Sequence, residues 1–170
     1  MRKIPAILVI ACAATFALSA CNQQEQQPKD QQAAAAPQIA PMPTNANDKN
    51  AWKQYLVSVV TANMQGVKTN HPYMYFVPSG DDDTSKSDRQ NQLDNVKNVV
   101  ARGVLPGNMM AFGGPDSKIT SDLIVEAFKD AQAGAFKDVV VLFIGKPADL
   151  DAVKQALASS GADVRFVEAK

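Results

Sequence analysis

Histidine and cysteine are almost missing from this chain. Among its 170 residues there is one histidine, His71, and there are two cysteines, Cys12 and Cys21. A Ser-His-Asp hydrolase would have to use His71. A zinc site ordinarily draws several ligands from His and Cys, so no transition-metal centre is expected. Neither sign of charge is in excess, with 17 basic and 17 acidic side chains. That balance leaves no basic stripe to follow a phosphate backbone, and nucleic acid is not an expected partner. Phosphate loops are missing too. Gly113-Gly114 precedes Lys118 without the G-x-x-x-x-G-K-[ST] or G-x-G-x-x-G spacing. Gly145-Lys146 is followed by Pro147 where Ser or Thr is required. Nucleotide hydrolysis is unsupported and no cofactor is expected.

The acidic run Asp81 to Asp88 opens with the alternating spacing of an EF-hand calcium loop. Lys86, however, stands at the turn glycine and Gln92 at the bidentate glutamate. The run is expected to be a solvated loop that caps the following helix, with no metal. A hydrophobic run of transmembrane length is also absent. The uncharged stretch Ile4–Ala20 is shorter than the roughly 20 apolar residues a spanning helix needs, and it carries Pro5.

What that stretch does have is the layout of a cleaved signal. Arg2 and Lys3 precede an apolar segment that includes Ile7, Leu8, Val9 and Ile10 and that ends in small residues. Leu18-Ser19-Ala20-Cys21 then resembles the lipobox of bacterial lipoproteins. The resemblance covers about the first 21 residues. It implies removal of residues 1–20, a diacylglyceryl group on the Cys21 thiol and acylation, as by palmitate, of the freed amine. Two or three chains hold a protein on a bilayer effectively permanently, because each buried methylene contributes roughly 0.8 kcal/mol. Asn22 stands where Asp would favour inner-membrane retention, so an outer-membrane anchor facing the periplasm is expected. Cys12 would leave with the signal and Cys21 would be lipidated. Thiol redox chemistry and a cysteine nucleophile are excluded on that reading. Losing Arg2 and Lys3 leaves 15 basic against 17 acidic groups, a net charge of −2.

Residues 21–47 are rich in Gln, Ala, Pro and Asn, with prolines at 28, 37, 41 and 43. Such a segment buries too little apolar surface to offset its ordering entropy. It is expected to be a disordered tether that spans roughly 25–30 Å r.m.s..

Residues 48–170 suit one domain. Trp52, Tyr55, Leu56, Val59, Val60 and Met64 lie on one helical face, with Asp48 as a cap. Tyr73–Val77 is a short apolar run that reads as a buried strand. After the polar stretch Asp81–Gln92, a second helix carries Leu93, Val96, Val99 and Val100. A strand at Asn108–Phe112 and a helix built on Ile119, Leu123, Ile124, Ala127 and Phe128 follow. The β-branched run Val139–Ile144 predicts a strand buried on both faces. A helix with Leu150, Val153 and Leu157 comes next, and Val164–Val167 alternates like an edge strand. This alternation predicts an α/β fold, a small three-layer sandwich. Its mostly parallel sheet of about four strands would carry helices on both faces. A sheet covered on one face is the alternative.

In open parallel sheets, ligands bind beyond the carboxyl ends of the strands, near a topological switch point. Three loops fall there. The first holds Ser79, Gly80 and Asp81, the second Gly113, Gly114, Ser117 and Lys118, and the third Gly145 and Lys146. Glycine lets backbone amides approach a ligand, lysine adds positive charge, and helix N-termini favour anions. A small anionic ligand is one reading, and ordinary βα turns and helix caps are the other. His71 precedes the first strand and is expected at the opposite end of the sheet, away from these loops.

Three functions fit this sequence. The leading expectation is a periplasmic binding or protein-interaction module tethered to the membrane by its lipid. The second is an enzyme without Cys or His chemistry that uses carboxylates, Ser79, Ser117 or the loop lysines. The third is an immunity- or inhibitor-type lipoprotein. No catalytic residue is singled out.

Overall fold

The computed structural model describes residues 38–170. The expected signal segment, Cys21 and the expected tether up to residue 37 lie outside the described residues. Four helices alternate with four strands: α1 Lys49–Ala62, β1 Tyr73–Phe76, α2 Asp83–Arg102, β2 Met109–Gly113, α3 Ser117–Phe128, β3 Val140–Gly145, α4 Pro147–Leu157 and β4 Asp163–Glu168. All strand pairs are parallel and the sheet order is β1-β2-β3-β4. This is the expected α/β class.

The helices begin where side chains satisfy the free amides of the first turn. Asp48, Asp82 and Asp116 accept from the backbone N–H of Ala51, Ser85 and Ile119, each at 2.9 Å. α4 starts at Pro147, whose missing N–H costs nothing in a first turn.

β2 and β3 are buried along their whole length, and their alternating side chains feed two cores. Met110, Phe112, Val141 and Phe143 pack with residues of α2, α3 and α4. Met109, Ala111, Val140, Leu142 and Ile144 pack with Trp52, Tyr55, Leu56, Val59 and Val60 of α1. Helices thus cover both faces, three on one and one on the other. Each crossover steps one strand in the same direction, and all three crossover helices lie on one face. They therefore share one hand, as strand twist demands.

Two local expectations are corrected. The polar stretch from Asp83 is helical rather than a loop, because α2 starts ten residues before Leu93. The capping by Asp82 and the exposure of most of this first half explain why no apolar stripe marks it. β1 is not buried along its length. It is the outermost strand, and Tyr73 and Met74 are 43% and 44% exposed.

The last residues of the segment expected as a tether lie against the domain. The Ala40 amide donates to Ser58 Oγ at 2.9 Å, and Trp52 Nε1 donates to the Asn45 carbonyl at 3.1 Å. No helix among the described residues is long and apolar enough to cross a membrane.

Candidate functional site

The strand order sets the terms for the βα loops. A switch point needs neighbouring connections that leave the sheet in opposite directions. In the order 1-2-3-4 none do, and the three loops all turn toward the same face.

Each loop is occupied by its own contacts. In the first, Arg89 Nη1 donates to the carbonyls of Pro78 and Gly80 at 3.1 and 2.6 Å, which holds the turn around the half-buried Ser79. Asp81 is exposed. The neighbouring Asp82 has its carboxyl held below the usual range by hydrogen bonds, first from the Ser85 hydroxyl and then from its amide.

In the second loop Ser117 is 6% exposed. Its Oγ accepts from the Lys146 amide at 2.6 Å and donates to Asp149 Oδ2 at 2.5 Å. Ser117 therefore ties the second loop to the third and does for α4 what a capping side chain would do. Lys118 is exposed and pairs with Asp122 one turn on, and this pairing raises its pKa. Lys146 presents its side chain to solvent.

The glycines answer to packing. A Cβ on Gly113 would meet Leu56 Cδ2 at 2.5 Å, and one on Gly145 would meet Ser117 Oγ at 2.6 Å. One on Gly114 would run into the Val77 carbonyl. So the structure brings Ser117, Gly145 and Lys146 together, while Ser79, Gly80 and Asp81 form a separate turn. His71 is exposed in the turn before β1, at the amino end of the sheet. Among the described residues no three His, Cys, Asp or Glu side chains cluster as metal ligands.

A larger cleft than any at these loops lies among the described residues at the outer side of β1. It has a volume of about 620 Å³, and none of the nine loop residues lines it. α1 supplies one wall with Lys49, Lys53, Leu56 and Val57. α2 supplies the other with Asp88, Asn91, Gln92 and Asn95. Met74, Phe76 and Pro78 form the floor. The spacings 4, 3, 1 and 3, 1, 3 place each set on one stripe of its helix. The floor and the Leu56–Val57 end of the α1 wall are apolar, while Lys49 and Lys53 make its other end cationic, and Met74 and Val57 are 44% and 46% exposed. The α2 wall is mostly carboxamide. Lys49 Nζ meets Asp88 Oδ2 at 2.8 Å, which links the two walls across the cleft. Among the described residues Lys53 makes no ion pair.

The cleft also bares backbone. The Val77 amide donates to Gly113 O at 2.9 Å, and Tyr75 is in register with Phe112. Amides and carbonyls alternate in direction along a strand. Tyr73, Tyr75 and Val77 thus face β2, while Met74 and Phe76 turn their N–H and C=O outward. Pro78, at the next outward position, has no N–H. Sequence reading passed over this place. Its one signal is that Tyr73–Phe76 carries no charge, which is unusual for an edge strand.

No family model, curated protein or solved structure matches this chain.

Proposed function

We propose that this protein is an envelope lipoprotein, held through Cys21 in the outer membrane and facing the periplasm, whose α/β domain is a protein-interaction module. The observation that carries the module reading is the open β1 edge between α1 and α2. It combines exposed apolar side chains with unpaired backbone groups, a surface suited to another polypeptide. In the βα loops the buried hydroxyl of Ser117 is spent on Lys146 and Asp149, which favours a structural role for it over catalysis. The location rests on the lipobox-like Leu18-Ser19-Ala20-Cys21.

Two measurements test the two halves. Mass spectrometry of the membrane-extracted chain should find acyl mass on Cys21, and Cys21→Ser should abolish it and shift the chain out of the outer-membrane fraction. Unchanged fractionation with no acyl mass overturns the anchor. For the module, a photo-crosslinking residue at Val57 should trap a protein in intact cells, whereas one at Lys118 should not. Equal trapping at both positions, or none at either, overturns the module.

A further inference from the structure

We infer that the β1 edge takes an extended, acidic peptide segment of a partner protein as a fifth strand. This rests on the interaction-module reading and names its ligand.

Met74 and Phe76 each offer one outward N–H and one outward C=O, and no hydrogen bond from outside the ladder reaches either residue among those described. Such a row of backbone groups on a strand edge is the pattern that an added extended strand matches group for group, in place of water. Pro78 sets the limit of that strand, since it has no N–H to offer. An added strand would point alternate side chains to the two faces of the sheet. Those on the α1 face would meet Met74, Val57 and, at the rim, Lys53. Those on the α2 face would meet the carboxamides of Asn91 and Asn95.

Charge selects the occupant. Lys49 and Lys53 line the α1 wall, and the one acid of the cleft, Asp88, is already held by Lys49. The free charge is positive, so a carboxylate in the incoming strand gains a partner, and a lysine there would be repelled. The same pattern argues against a second copy of this chain. Antiparallel edge-to-edge pairing about a two-fold axis would set α1 against α1. It would put the exposed Lys53 of both copies, which makes no ion pair among the described residues, on the same face of the joined sheet.

The probe is a capped octapeptide, Thr-Val-Thr-Glu-Thr-Val-Thr-Glu, with its lysine-for-glutamate counterpart. Binding is read with the full chain in detergent by titration calorimetry and by amide hydrogen exchange. The glutamate peptide should slow exchange at Met74 and Phe76, and it should bind about tenfold tighter than the lysine peptide, a difference of about 1.4 kcal/mol. Lys53→Glu, an exposed substitution that leaves the core intact, should reverse that preference. Met74→Pro removes an outward N–H and no ladder bond, and it should weaken binding at least about tenfold. Unchanged exchange at Met74 and Phe76, or no change of preference in Lys53→Glu, overturns strand addition. Concentration-dependent protection of the two amides without peptide also overturns it, in favour of self-association. If the peptides fail while Val57 still crosslinks a protein, the module survives and the strand does not.

Discussion

β4 ends one side of the sheet with Asp163, Arg165 and Glu168 among its six residues, whereas β1 ends the other with four residues and no charge. Arg165 is the clearest difference. Its Nη1 donates to the carbonyls of Asn63 and Gln65 at 3.1 and 2.7 Å, its Nε donates to Asp163, and the loop after α1 is thereby pinned over β4. Ile39, Ala40 and Pro41 lie beside Phe166, Val167 and Glu168. The chain thus spends its own segments and charges on one edge. The other edge is guarded by one exposed ion pair, Lys49–Asp88. Edge strands are ordinarily defended against pairing with other chains. The pairing proposed at β1 rests on this contrast in charge between the two edge strands.

The comparison can be broken most forcefully at the strand between the edges and the core. Phe112 is fully buried, stacked on Tyr75 at 4.8 Å and edge-on to Phe128 at 6.4 Å. Phe112→Ala should cost about 3–5 kcal/mol in denaturant unfolding. Because its stacking partner is on β1, amide exchange should accelerate more in β1 than in β4. Equal acceleration would mean that the two edges open together.

A smaller effect sharpens the contrast directly. Arg165→Ala leaves the part-buried Asn63 carbonyl and the exposed Gln65 carbonyl without their donor and should cost about 1–2 kcal/mol. Lys49→Ala removes an exposed pair and should cost about 1 kcal/mol or less. Similar losses in the two variants would erase the distinction between a built edge and an open one.

The smallest effect at neutral pH belongs to Tyr75. Its hydroxyl is buried and finds no partner among the described residues. Burial, with Tyr73 nearby, pushes its pKa up to about 12 from 10.0. A raised pKa means that the folded state holds its proton where the unfolded chain loses it. The stabilising contribution is complete below about pH 10 and is lost as pH rises toward 12. Tyr75→Phe should leave neutral-pH stability within about 1 kcal/mol, since no hydrogen bond is lost. It should also flatten the decline of stability between pH 10 and 12. An unchanged alkaline decline would assign it to another group.

Much of the fold was legible because its signals are local. The run Val139–Ile144 announces a strand buried on both faces, and Asp48 announces a helix start. α2 was half legible. Val96, Val99 and Val100 lie on the core, but the helix overhangs it for ten residues, and there the apolar period has nothing to record. Strand order is set by pairing between distant segments, so it left no trace in the sequence. The βα loops show a different limit. Gly113, Gly114 and Gly145 read alike whether a ligand or a neighbouring side chain needs the space, and only the positions of Leu56, Val77 and Ser117 tell which contact is there. The cleft was illegible because it is assembled from residues 49–57, 74–78 and 88–95, each ordinary by itself.

The contacts of residues 38–47 carry a mechanical consequence. The amide of Ala40 hangs on Ser58 and the carbonyl of Asn45 on the Trp52 indole, while Ile39–Pro41 run past β4. A pull applied at residue 38 would enter the domain through Ser58 and Trp52 of α1. Because the Trp52 ring also packs on Phe76, with centroids 6.4 Å apart, that load would be shared between the β4 side and β1.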